Sequence, residues 1–156
     1  CINPDTLFVA LEKKLGRIVA SSKKQEIEGI QNIRYMVLDL AWFFDGVFTA
    51  NTFDLITINF PDPWPKARHR KHRFVSHEFA VSLYKICRPN ALLTFATDNY
   101  AYAREAVTVF ENSPHWKNFV APYVAVDKIQ GRPESFFEKL HRLEGAPIYI
   151  LRYQRT

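Results

Sequence analysis

Cysteine is scarce in this 156-residue chain, with Cys1 and Cys87 the only two. So distant a pair makes neither a disulfide framework nor a metal-ligand pattern, and no His, Cys or acid cluster elsewhere has metal spacing. Glycine is nearly as sparse at five residues. None of the five builds a phosphate-cradling Walker loop or a nucleophile elbow. No apolar run approaches the roughly 18 residues that cross a bilayer, and no basic-then-apolar leader is read at the start. Metal chemistry, P-loop hydrolysis, serine-type acyl transfer and membrane insertion therefore have no support here. A reducing, cytoplasmic setting is the expectation.

Apolar residues make up 47% of the chain and aromatics 15%, enough to build a core of useful size. One domain over residues 1–156 is the simplest organisation, with no repeat, linker or low-complexity tract. The charge is less even. Lys and Arg number 21 against 16 Asp and Glu, and five of those bases fall in residues 66–73 with no acid among them. Without those five the two signs balance at 16 each. The net charge of +5 thus reports one local site, not a general bias of the surface.

Short apolar runs alternate with longer helical patterns. Strands are predicted over 6–11 (TLFVAL), 33–38 (IRYMVL), 55–60 (LITINF), 92–97 (LLTFAT) and 148–153 (IYILRY), with another near 119–126. Helices are predicted over 13–28, 76–87, 100–111 and 134–142. Leu15, Ile18, Val19 and Ile27 would form the inner stripe of the first helix, and Ser76 would cap the second. This alternation predicts a doubly wound α/β fold, mostly parallel through its core. Ligands of such sheets bind beyond the carboxyl ends of the strands. Four predicted strands run into an acid there: Glu12, Asp39, Asp62 and Asp98. Any one of them could merely cap a helix. A rim of four suits a ligand rich in hydroxyl and amino donors, such as a nucleoside.

Between strand and helix lies NFPDPWPKARHRKHR, residues 59–73. Prolines at 61, 63 and 65 can neither extend a ladder nor enter a helix, so the strand leaves through a stiff, extended elbow bearing Asp62 and Trp64. The arm follows at once: Lys66, Arg68, His69, Arg70, Lys71, His72 and Arg73. Arginine grips phosphate as a fork and lysine as a point charge, which gives register but no base identity. An acidic pocket one turn away would supply that identity. The combination points to a nucleic-acid enzyme that anchors the backbone and draws in one base. His141, on a charged helix face, is expected to be simply solvated, and His115 and Trp116 to form a local turn.

The elbow and arm, followed by FATD (95–98) and RPESFFE (132–138), resemble the bacterial tRNA (guanine-N7-)-methyltransferase family. The likeness covers essentially the whole chain. It implies a Rossmann-like methyltransferase fold, S-adenosylmethionine as donor and a guanosine of the tRNA variable loop as acceptor. By the same resemblance Glu12 matches the acid on the donor's ribose, Asp39 the acid beside its adenine, and Asp62 a donor-binding or catalytic position. Lys66, Asp98, Ser135 and Glu138 match substrate-binding positions, and residues 68–73 match the tract assigned to RNA. Ser135 stands where the family has Thr, and Phe136 where a Lys is usual. The family's first strand and glycine-rich loop have no counterpart before CINPD, so an incomplete amino-terminal part, and with it weakened donor binding, is expected. A metal and a membrane are not expected, and a monomer is the default. Two rival readings remain: a non-catalytic RNA-binding module of the same fold, or a methyltransferase acting on an exocyclic base amine.

Overall fold

The computed structural model describes residues 4–39, 46–64, 67–120, 128–129 and 132–156, without the side chains of residues 67, 70 and 71. The chain forms two compact units, Cys1–Val47 and Phe48–Thr156.

In the first unit β1 (Phe8–Glu12) pairs in parallel with β2 (Ile33–Val37), from Phe8 opposite Ile33 to Glu12 opposite Val37. The helix α1 (Leu15–Ile27) joins them. Its carboxyl end is closed by Gln25, whose amide donates to the Ile30 and Ile33 carbonyls at 2.7 and 3.3 Å. Gly29 takes a left-handed φ of 65° directly after the helix, where a side chain would be strained. The predicted inner stripe of α1 is corrected here. No residue of the helix is buried, and Ile27 is 85% exposed. Of the four predicted stripe residues only Ile18 is half-buried.

In the second unit β3 (Phe53–Asn59), β4 (Cys87–Thr97), β5 (Trp116–Asn118) and β6 (Tyr149–Arg155) form one sheet in the order β3-β4-β6-β5. The β3–β4 pair is parallel, and β6 runs antiparallel to both β4 and β5. The sheet is therefore mixed: the β3–β4 pair is parallel as the alternation of strands and helices predicts, and β6 departs from that expectation on one side. Helices α2 (His77–Ile86), α3 (Tyr100–Glu111) and α4 (Phe136–Leu143) complete the unit, with a 3-10 turn at Ala67–His72.

Caps set the helix starts. The Ser76 hydroxyl accepts from Phe79 N at 3.2 Å, and Asn99 Oδ1 accepts from Tyr102 N at 2.9 Å. From α2 the side chains of Phe79, Ala80, Leu83 and Ile86 are buried; from α3, Tyr102, Ala103, Ala106 and Phe110. They close on β4, whose residues 93–97 are buried without alternation, as a central strand covered on both faces requires. Each such Leu or Phe contributes roughly 1.5–3 kcal/mol of burial free energy. Trp116, expected in a local turn, begins β5 instead. It is buried, and its indole N–H donates to the Ala80 carbonyl at 3.0 Å, tying the short strand to α2.

Candidate active site

The parallel pairing of β3 and β4 decides where the chemistry-bearing residues emerge. Asn59 stands opposite Ala96, and Phe60 N donates to the Ala96 carbonyl at 2.8 Å, so both strands end together. The elbow leaves β3 at that point and carries Asp62, which is solvent-exposed. Asp98 follows β4 directly. Helix α3 is capped by Asn99, so Asp98 is not consumed as its cap. Its carboxylate instead lies 3.8 Å from His141 Nδ1 of α4. Two acids thus leave one edge of the sheet on neighbouring strands.

His141 is not the solvated side chain expected of it. Its ring centroid lies 4.1 Å from that of Phe137, and it stacks at 6.1 Å on Phe60. Phe60 and Phe137 meet edge to face at 4.8 Å, and Phe60 also packs on the Ala96, Ile148 and Ile150 core. An aromatic pair at i and i+4 on α4 was the available signal for this placement.

Ser135 caps α4, its hydroxyl oxygen accepting from Glu138 N at 3.1 Å. The sequence S-x-x-E there has the form of a capping box, yet the Glu138 carboxylate turns inward. It is 0% exposed and accepts from Arg132 Nη1 at 2.7 Å and Arg142 Nη2 at 3.1 Å. Arg132 also donates from Nη2 to Asn59 Oδ1 at 3.1 Å. Both oxygens of Glu138, expected to meet a substrate, are therefore engaged by guanidinium groups.

The arm departs from expectation at its last residue. Arg73 was counted with the RNA-facing tract, but its side chain is only 3% exposed. Its Nε donates to the Pro63 carbonyl at 2.7 Å, its Nη1 bonds Glu105 of α3, and its guanidinium lies 4.8 Å from the centre of the Tyr102 ring. Burial pushes the Tyr102 hydroxyl well above the usual tyrosine range, so it stays protonated. Earlier in the turn, Arg68 and His72 are exposed. Arg68 Nε donates to His69 Nε2 at 3.2 Å, which leaves the His69 proton on Nδ1. Trp64 gathers both histidines, with ring centroids at 5.9 Å from His69 and 5.0 Å from His72. The arm's Arg70 and Lys71 lie in this turn, and Lys66 falls outside the described residues.

In the first unit Glu12 ends β1. Its two oxygens accept from Lys14 N at 2.9 Å and Arg17 Nη1 at 3.2 Å. Partial burial acts to raise its pKa, but those hydrogen bonds and the Arg17 charge outweigh it and hold the carboxyl below its ordinary value. The Lys13 backbone N–H also bonds this carboxylate, whose two oxygens offer about four acceptor positions in all. Asp39 follows the end of β2, half-buried. Among the described residues no group of three or more His, Cys, Asp or Glu could hold a metal ion, and no helix is long and apolar enough to cross a membrane.

A family model described as "Putative methyltransferase" matches residues 1–151. The tRNA (guanine-N(7)-)-methyltransferase of Leptospira interrogans serovar Lai is 36% identical over 149 residues, which are 95% of this chain and 67% of that protein. The chain belongs to this family. The Thermotoga maritima member is 32% identical over 149 residues, 96% of this chain and 46% of that protein. The chain thus spans between about half and two thirds of these relatives' lengths. Solved structures agree on the fold. A SAM-dependent O-methyltransferase of Thermotoga maritima covers all of the chain with 52% of its own, at a TM-score of 0.61 and 11% identity. A methyltransferase homologue of Pyrococcus horikoshii covers 98% with 54% of its own, at 0.64 and 12%. The fold is the Rossmann-like one of S-adenosylmethionine-dependent methyltransferases.

Proposed function

We propose that this protein transfers a methyl group from S-adenosylmethionine to N7 of a guanosine in tRNA, within the variable loop. One observation supports this above others. A chain of this family sets two acids past the ends of adjacent parallel strands, and on one of them the acid is joined by a stiff elbow to a basic arm.

The residues fit the donor's adenosine portion. Glu12 is ionised and retains acceptor capacity for ribose hydroxyls, and Asp39 is the acceptor for the adenine amino group. When bound, S-adenosylmethionine supplies an electrophilic methyl carbon on a sulfonium. Guanine N7 bears a lone pair and no proton, so no general base is required at the attacking atom. Alignment and charge remain as the protein's tasks. Asp62 and Asp98 accept from the guanine N1–H and amino group, which no other base presents together, and their negative field favours the cationic product. Ser135, three residues after the Arg132 that bonds Asn59, offers its hydroxyl hydrogen to the substrate, and Glu138 serves that surface by holding Arg132. Lys66, Arg68, His69, Arg70, Lys71 and His72 hold flanking phosphates. A monomer suffices for this work.

The test is methylation of bulk tRNA by the full-length protein, with the modified atom mapped. N7-methylguanosine at a single variable-loop position is expected. A methylated exocyclic amine would move the target, and no incorporation with tRNA binding intact would leave only an RNA-binding module.

A further inference from the structure

We propose that Arg73 and Arg132 are positioning residues, two buried arginines that clamp the elbow at its two ends and thereby fix the backbone carrying Asp62. The proposal rests on the methyl-transfer reading above for its effect on rate, but not for the clamp itself.

The elbow is poor in backbone donors. Pro61 and Pro63 have no N–H, and the Phe60 N–H is already spent on Ala96. Beyond Asn59 the ladder ends. Two residues then take left-handed backbone that aromatic side chains avoid, Phe60 at φ 47° and Trp64 at φ 43°. Such a conformation persists only where the surroundings enforce it. Two acceptors lie at its ends, the Asn59 amide oxygen on the entry side and the Pro63 carbonyl on the exit side. Arg132 takes the first at 3.1 Å and Arg73 the second at 2.7 Å.

Each arginine is itself held by a carboxylate from a helix. Glu138 of α4 fixes Arg132, and Glu105 of α3 fixes Arg73. The exposures, 6% for Arg132 and 3% for Arg73, leave neither free to meet a phosphate without abandoning its partner. Fork geometry is what both sites use. Each guanidinium serves two acceptors from one rigid planar fork, a geometry that the compact, rotatable ammonium of a lysine does not reproduce.

The experiment compares Arg73→Lys and Arg132→Lys in the full-length protein with an arm variant, Arg68→Ala/Arg70→Ala/Lys71→Ala. Turnover at saturating tRNA and donor, tRNA affinity across salt, and the fluorine resonance of 5-fluorotryptophan at position 64 (assigned with Trp64→Phe) are read on each. The two lysine variants are expected to lose about 10- to 100-fold in kcat, to keep tRNA Kd within about 3-fold and its salt slope unchanged, and to broaden or split the Trp64 resonance. The arm variant is expected to weaken tRNA binding and to flatten the slope by about 0.7 per lost phosphate contact. A flattened slope with full kcat in the lysine variants would make these arginines RNA contacts and overturn the clamp. Unchanged kcat with an unchanged resonance would do the same. Glu105→Gln and Glu138→Gln preserve shape and loosen only the hold, so they carry the test should a lysine variant not fold, with the same directions expected. If the parent protein methylates no guanine N7, the functional reading fails, while the Trp64 resonance still decides the clamp: disturbed in both variants it stands, undisturbed it falls.

Discussion

The two ends of the four-stranded sheet each place an arginine over a tyrosine ring. Where β3 and β4 finish, Arg73 lies over Tyr102 at 4.8 Å; where β4 begins, Arg155 lies over Tyr84 at 4.2 Å. Their partners differ. Arg73 bonds a carboxylate and an elbow carbonyl, whereas Arg155 bonds the Asn51 amide oxygen and the Cys87 carbonyl, with no acid. The backbone differs in parallel. Left-handed non-glycine residues occur at both ends, but at the β4 start they are Asn51 and Asn90, and at the finish Phe60 and Trp64. Asparagine visits that region at little cost, while an aromatic residue does not. Strained aromatic backbone and the buried Arg73–Glu105 pair therefore lie at one end, where a reacting geometry would need them, and the other end holds tolerant residues, neutral acceptors for Arg155 and the exposed Arg88–Asp54 pair.

The largest effect expected of this asymmetry lies at Asp62. Asp62→Ala should lower tRNA methylation by at least about 100-fold while tRNA affinity stays within a few-fold, because the carboxylate acts on the bound base and not on the phosphates. Steady-state turnover alongside equilibrium tRNA binding separates the two. A loss confined to binding would dissolve the functional distinction between the ends.

Arg155→Ala probes the opposite end. It removes charge-assisted bonds to two neutral acceptors and should cost about 2 kcal/mol of stability by denaturant unfolding, yet leave kcat per folded molecule within 2-fold. A kcat loss as large as at Arg73 would show that both arginines act through the general rigidity of the sheet.

Much of this asymmetry can be read in the chain, though not all of it. The elbow, the arm and the acids past β3 and β4 are legible because proline, a charge run and strand ends are local features. The starts of α2 and α3 are legible because Ser76 and Asn99 precede clean helical stripes. The direction of β6 is not, since an apolar run pairs equally well either way and only the neighbours decide. Nor is the fate of Arg73. It ends an unbroken basic run, and only Glu105, 32 residues on, makes its burial tolerable. His141 was misread for a similar reason: its company, Phe60 and Asp98, comes from two strands far away in sequence.

The smallest effect concerns Cys87, at the β4 start. Its side chain is fully buried, and burial pushes the thiol up to about 12, with only partial opposition from the Arg155 charge. The unfolded thiol ionises near 8.5. A folded pKa raised above the unfolded one means that the native state holds its proton longer. The contribution is therefore fully present below about pH 8.5 and is lost progressively as pH rises toward 12. At pH 9.5 the loss amounts to about 1.4 kcal/mol. In a Cys1→Ser background, adding Cys87→Ala should flatten the fall in unfolding free energy between pH 8 and 9.5, and without that change the thiol should resist maleimide at pH 7.5 until denatured. Methylation rate over the same range should be indifferent to the substitution. A rate that follows the Cys87 titration would mean that the β4-start end of the sheet communicates with the strained one, which the confinement of left-handed aromatic backbone to the β3 and β4 finish argues against.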